Sequence, residues 1–341
     1  MTNKRVLITG ISGFIAGHTA VAFLNAGYEV RGTVRSLNKI DKTKETLANH
    51  ADCSKLEFVE ADLMSDDGWD VAVKGCPYVV HMASPFPLNS PKNEDDIIRP
   101  AVDGTLRILK AATQNGVERF VQTSSTVAVT AGHSHGRVDA FTEDDWTNLD
   151  GAGVTAYVKS KTLAERAARD FVSNSKSGMH FSTVNPSLVL GPMLGADFGA
   201  SLEIVQMFLS GKYPATPKIM FPVVDVRDVA KMHLLAIETN AQSGGRYLAV
   251  SDTISMNDFS KCLKTGLGDK ARKAPTREMP NWFFKLISLF DKSAKDIISE
   301  LGRVYTVDNS KTRKTLKMNE FISANDAIVA AGKSLVDNNL V

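Results

Sequence analysis

The sequence predicts an α/β fold: a doubly wound, mostly parallel sheet with a smaller, mainly helical lobe from its C-terminal part. Three observations lead there. Short apolar runs alternate with helical segments through residues 5–185, the pattern of strands buried on both faces by crossover helices. A glycine-rich turn, Gly10-Ile-Ser-Gly13-Phe-Ile-Ala16-Gly17, joins the first strand to the first helix. The alternation fades after about residue 190, where Gly, Pro, Met and Phe become frequent.

Each element has a local reason. Residues 5–9 (Arg-Val-Leu-Ile-Thr) read as a buried first strand, and an apolar helix follows over 14–26. Gly27 ends that helix, because a residue free to take positive φ closes the last turn. Residues 28–34 are the second strand, followed by helix 40–49, strand 56–60, a short helix and strand 77–81. Helix 95–115, strand 119–124, helix 155–174 and strand 180–185 continue the series to Asn185-Pro186. Such crossovers are right-handed almost without exception. Residues 223–239 are expected to be a short strand and a helix returning to the main sheet, and 251–300 and 311–338 to be largely helical. The chain thus divides into a main domain, 1–190 with 223–250 returning to it, and a lobe from 191–222 and 251–341.

With 341 residues, 43% of them hydrophobic, the chain can bury one large core with a lobe against it. A net charge of +2 argues against a general nucleic-acid surface. Three scattered cysteines, Cys53, Cys76 and Cys262, suit a reducing compartment better than a disulfide scaffold or a zinc site. The first residues run straight into a strand, and no apolar run approaches the ~20 residues of a membrane span. A cytoplasmic protein without membrane or nucleic-acid partners is expected.

The glycine turn carries the first chemical signal. A dinucleotide pyrophosphate needs close backbone approach and the free amides of a helix N-terminus. Gly10 makes the turn, Gly13 permits approach and Ala16 allows helix–strand packing. Thr9, Ser12, Phe14 and Ile15 complete this Rossmann-type cradle. The second strand ends in Val34-Arg35, with Lys39 four residues on. A carboxylate there would repel a 2′-phosphate, whereas an arginine can grip it with paired bonds. NADPH or NADP+ is therefore the expected cofactor, with an ordinary solvated loop as the alternative. Asp62 and Leu63, after the third strand, are candidates for the adenine amino group and ring, or else routine loop residues. Ala83, Ser84 and Pro85 end the fourth strand, where small residues let the chain skirt the nicotinamide ribose. His81 reads as structural.

The second signal is Tyr157-Val-Lys-Ser-Lys161, thirty-two residues after Ser125. Tyr157 and Lys161, four apart, share a helix face. A nearby ammonium favours the phenolate, so Lys161 should lower the Tyr157 pKa while holding ribose hydroxyls. Tyr157 can then protonate a carbonyl oxygen as hydride reaches its carbon. Ser125, at the end of the preceding strand, can orient that oxygen. Ser124 should face elsewhere. No metal site is indicated, although His133 could border a substrate.

At these residues the chain resembles the extended short-chain dehydrogenase/reductase family. More closely, it resembles the dihydroflavonol and cinnamoyl-CoA reductase group, which includes yeast-type methylglyoxal and aldehyde reductases. The resemblance runs through Thr9–Phe14, Thr33–Arg35, Ala83–Pro85, Thr123–Ser125, Tyr157 and Lys161. It continues through Asn185–Ser187, Val189–Pro192, Asp225–Ala230 and Asp308–Lys311. It implies B-face hydride transfer from NADPH to an aldehyde or ketone, with Ser125, Tyr157 and Lys161 in the roles argued above. It also implies that Thr123 and the segment Pro186, Ser187, Leu188 and Val189 frame the nicotinamide, and that Asp225–Ala230 supports the domain junction. The plant flavonoid enzymes have a substrate-gripping Asn where this chain has Thr130, which argues against a dihydroflavonol. Phe86, Thr130, Leu188, Met193, Phe198 and Phe221 are candidates for an apolar substrate pocket, each with a core position as the alternative. Such a pocket would accept a range of carbonyl compounds. A nucleotide-sugar epimerase, a 3β-hydroxysteroid dehydrogenase and a non-enzymatic NADPH sensor are the competing readings. Nothing separates monomer from homodimer.

Overall fold

The computed structural model describes residues 4–85, 93–195, 199–239 and 243–341. The first half alternates as expected: β1 (Arg5–Ile8), α1 (Phe14–Asn25), β2 (Glu29–Val34), α2 (Ile40–Ala48), β3 (Leu56–Glu60), α3 (Trp69–Val73) and β4 (Tyr78–His81). Next come α4 (Asp95–Gln114), β5 (Arg119–Thr123), a single-turn α5 (Val127–Thr130), α6 (Ala156–Asn174) and β6 (His180–Pro186). Gly27 takes φ +83° just beyond the end of α1, in the left-handed region that favours glycine. Thr155 caps α6 by accepting from the Val158 amide, which fixes where Tyr157 and Lys161 begin their helix face.

The remainder holds β7 (Leu188–Leu190), α7 (Ala200–Ser210), β8 (Met220–Asp225), α8 (Val226–Glu238), β9 (Gly245–Ala249) and β10 (Asp252–Ser255). After these come α9 (Met256–Leu267), α10 (Asn281–Ile287), α11 (Lys292–Ile297), α12 (Ser310–Leu316) and α13 (Ala324–Asp337).

The main sheet has seven strands in the order β3-β2-β1-β4-β5-β6-β9, and every pairing is parallel. Strand order reverses between β1 and β4, and the crevice at such a switch point is where open α/β sheets take ligands. One apolar cluster joins α1, β1, β2 and α8, and another joins α3, α4, β4 and β5 on the opposite face. The sheet is therefore covered on both sides.

One expectation needs correction. The strand within 220–225 does not return to the main sheet; β8 pairs parallel with β7 and antiparallel with β10 in a separate three-stranded sheet. The returning elements are α8, whose Val226, Val229 and Met232 pack into the main core, and β9, which extends the sheet beside β6. A strand of type Phe-Pro-Val-Val is apolar enough to be buried in either sheet, so its pattern alone could not choose.

The lobe has its own core, where α7, α9 and α13 bury Leu202, Val205, Phe259, Leu263, Ile328 and Leu335. Asp225, at the start of α8, is fully buried, and its carboxylate accepts from the Arg227 amide and side chain, each at 2.8 Å. Asp228 accepts from the Ile322 amide at 2.7 Å and so ties the tail to α8.

Candidate active site

The glycine loop lies over the edge of β2. Gly10 has φ +66°, and its amide donates to Thr33 Oγ1 at 2.9 Å. A Cβ on Gly10 would stand 3.1 Å from the Ala83 Cβ, so this turn passes against the end of β4. Gly32, which the sequence reading passed over, is as tightly placed: a Cβ there would lie 2.5 Å from Ile11. A glycine inside a strand marks such close approach. Gly13 caps α1 without any side-chain acceptor, which leaves first-turn amides for an anion.

Ile11, Ser12, Gly13, Phe14 and Gly17 line a cleft of about 340 Å³. Its opposite wall is Asn38, Lys39, Lys42, Thr43 and Thr46. Lys39 thus lines the same cleft as the loop, and Lys42 joins it. The sequence signal for Lys42 was its place three residues after Lys39, on the adjoining turn of α2. Arg35 is exposed just past the end of β2 and stands outside this lining. The open helix end, the close-packed glycines and the lysine wall fit a phosphorylated dinucleotide.

Thr9 pins the loop's base to β4. Its hydroxyl accepts from the amides of Met82 and Ala83, both at 2.9 Å, and its proton goes to His81 Nδ1 at 2.9 Å. That leaves the His81 Nε2 proton for Thr105 Oγ1 at 3.2 Å, because Thr105 donates its own proton to the Ala101 carbonyl. Burial pushes the imidazole down to about 3, so His81 is a neutral structural bridge. Ser84 and Pro85 follow half-buried. Asp62 accepts from the Met64 amide at 2.9 Å, and Leu63 packs against Gly104, where a Cβ would come within 2.8 Å of its side chain. Ile15 packs against the main core.

Ser125, Tyr157 and Lys161 converge where β5 ends. Ser125 Oγ donates to the Pro186 carbonyl at 3.3 Å and lies near enough to Tyr157 to favour its phenolate. Lys161 Nζ stands 6.0 Å from the Tyr157 ring centroid. Burial pushes the Tyr157 phenol up to about 12, with Ser125 opposing it, and pushes Lys161 down to about 8. The expected lowering of the Tyr157 pKa by Lys161 is thus reversed: the ammonium stands 6.0 Å from the ring centroid, and desolvation of the phenolate dominates. Ser124 turns away, as expected, and donates to Glu165 at 2.5 Å.

Several candidate contacts are committed to packing. The Thr123 hydroxyl donates to His233 Nε2 at 2.8 Å, since His233 Nδ1 already donates to the Val229 carbonyl. Ser187 Oγ donates to the Ala249 carbonyl at 3.1 Å, and Val189 is buried in the main core. Thr130 is 4% exposed, its hydroxyl donates to the Thr126 carbonyl and its carbonyl accepts from Arg303. Met193 is sealed in the lobe core, and Phe221 packs edge-on against Phe259 with ring centroids 5.8 Å apart. As pocket residues, Thr130 and Met193 are therefore corrected to packing positions, whereas Phe221 is only partly buried. Half-buried Leu188 lies at the lobe's edge, two residues beyond Pro186. Phe86 and Phe198 lie outside the described residues. His133 borders a separate cavity of about 500 Å³ with His135, Lys285 and Arg303.

The model of the NAD dependent epimerase/dehydratase family matches residues 6–249. The chain belongs to that family. A ketoreductase of Aspergillus niger is 33% identical over 332 residues, covering 92% of this chain and 93% of its own length. Tetraketide alpha-pyrone reductase 1 of Arabidopsis thaliana is 33% identical, covering 87% and 90% of the two chains. Among solved structures, yeast methylglyoxal/isovaleraldehyde reductase Gre2 complexed with NADPH superposes with TM-score 0.82 at 26% identity, covering 99% of this chain and 100% of its own. The extended reductase branch of the family is thus where this chain stands, beside the dihydroflavonol reductases, of which the barley protein is 31% identical over 76% of this chain. No helix among the described residues is long and apolar enough to cross a membrane.

Proposed function

We propose that this chain is an NADPH-dependent carbonyl reductase acting on an aldehyde or ketone, with Tyr157 as proton donor. The observation that carries this reading is the meeting of Ser125, Tyr157 and Lys161 at the end of β5. NADPH-bound Gre2 and the fungal ketoreductase support it by likeness.

NADPH, when bound, supplies the hydride. The glycine loop would hold the pyrophosphate at the amides of α1, and Lys39 and Lys42 would meet the 2′-phosphate, with Arg35, just past β2, as a further candidate. Ser125 orients the carbonyl oxygen and polarises it. As the carbon gains hydride, the Tyr157 phenol gives its proton to that oxygen. Its high pKa keeps the proton in place at neutral pH. Lys161 would hold ribose hydroxyls of the bound cofactor and stabilise the phenolate left behind. The substrate enters between the sheet edge and the lobe of 191–222 and 251–341, with Leu188 at its border. The three free cysteines suit a reducing, cytoplasmic setting.

The first test follows NADPH and NADH oxidation against methylglyoxal, aliphatic diketones, aryl ketones, keto esters, cinnamaldehyde and a dihydroflavonol. Selective NADPH turnover is expected. Tight NADPH binding without turnover on any of them would overturn the reading in favour of an epimerase-type reaction or a sensor.

A further inference from the structure

Behind the candidate catalytic serine lies a charged cluster that the mechanism above does not use. Glu165 continues the stripe of α6 that carries Tyr157 and Lys161, one turn further on, and is 0% exposed. A buried carboxylate is costly unless its oxygens are bonded. Here both are. Oε1 accepts from Arg246 Nε at 2.7 Å and Arg169 Nε at 3.1 Å. Oε2 accepts from Ser124 Oγ at 2.5 Å and Asn185 Nδ2 at 2.8 Å. The two guanidinium groups and these hydrogen bonds overcome desolvation and hold the carboxyl below the usual range, so it is ionised.

The Oε2 bonds reach the serine. Asn185 Nδ2 donates also to the Ser125 carbonyl at 3.2 Å, while Asn185 Oδ1 accepts from Thr183 Oγ1 at 2.8 Å. The negative charge of Glu165 selects this amide orientation, because a flipped amide would set its oxygen against the carboxylate. Ser124, the residue before Ser125, is held by the same oxygen. From the other side, Arg246 donates to the carbonyls of Glu143 and Ala128, at 2.9 and 3.4 Å. Its guanidinium lies 4.0 Å from the Trp146 ring. Ala128 belongs to α5, the turn that follows Ser125.

We propose that Glu165 is a positioning residue for Ser125: through Ser124 and Asn185 it sets the backbone that aims the serine hydroxyl at Tyr157 and the substrate oxygen. This inference rests on the carbonyl reductase reading. It predicts a coupling that a general stabilising role does not. If Glu165 acts through the Ser125 hydroxyl, its loss matters only while that hydroxyl is present.

The test is a double-mutant cycle of wild type, Ser125→Ala, Glu165→Gln and the double variant, assayed with NADPH and the best carbonyl of the panel. The expected result is a roughly 10- to 100-fold fall in kcat for Glu165→Gln, the scale of a misplaced catalytic group. KM for NADPH should stay within about twofold, and Glu165→Gln should add less than about twofold in the Ser125→Ala background. Equal fold-losses in both backgrounds, or no loss in the first, would overturn the proposal. If Glu165→Gln does not fold, Ser124→Ala takes its place in the cycle under the same criterion. Wild-type turnover with a multiplicative cycle sinks this inference alone. A wild type that reduces no carbonyl sinks the underlying reading, and the inference with it.

Discussion

Thr9 and His81 share a hydrogen bond, Oγ1 to Nδ1 at 2.9 Å, that joins the ends of β1 and β4 where the strand order of the sheet reverses. The bond needs a neutral imidazole, because Nδ1 must accept. Function and pH stability are therefore linked at this point of the crevice.

Two further histidines are buried neutral. Burial lowers His18 and His233 to about 4, and His81 to about 3. In the unfolded chain each takes a proton near 6.5. Between these values the unfolded state binds more protons, so the stabilisation is complete above about pH 6.5 and is lost as pH falls toward 4. At about 1.4 kcal/mol per pKa unit, each of His18 and His233 accounts for roughly 3 kcal/mol by pH 4. Urea titrations at pH 7.5 and 4.5 should show a markedly lower midpoint at 4.5. His18→Gln should flatten that dependence, and an unchanged slope would contradict the assignment.

Gly32→Val should damage the cofactor cradle. The added Cβ would meet Ile11 at 2.5 Å, and overpacking of this kind costs roughly 1–3 kcal/mol. Ile11 can relieve the clash only by displacing the glycine loop. NADPH affinity should fall more than thermal stability does. A variant with native NADPH affinity would show that the loop yields without cost.

Cofactor choice offers a graded comparison. Lys42 lines the cleft beside Lys39, whereas Arg35 stands outside its lining. Charge reversal at each position should raise KM for NADPH and leave KM for NADH nearly unchanged. Each lost phosphate contact should cost about 10-fold, the scale of one charge-assisted hydrogen bond. Equal losses with both cofactors would remove the phosphate clamp from that residue.

Lys161 should govern the alkaline limb of the reduction. Burial sets it near 8, so its charge beside the Tyr157 ring disappears as pH rises through that value. The kcat/KM of carbonyl reduction should be level below about pH 8 and decline above it. Lys161→Met should lower the whole profile and remove this limb. Tyr157→Phe should abolish most turnover while NADPH binding persists; a persistent rate would deny the phenol its role as donor.

The sequence by itself determined what is local. The alternation of strands and helices through β6, the glycine turn at Gly10 and the shared helix face of Tyr157 and Lys161 follow from periodicity, capping and backbone freedom over a few residues. Tertiary structure alone decided what distant segments contest. It placed β8 beside β7 and β10, because an apolar strand can be buried in either sheet. It closed Thr130 beneath Arg303, 173 residues away in sequence, and Met193 beneath the lobe helices, so neither serves as pocket wall. It also brought Glu165, Asn185 and Arg246 together behind Ser125. Polar groups so far apart along the chain carry no pattern that pairs them; only burial in a common interior, where each must find a partner, does so.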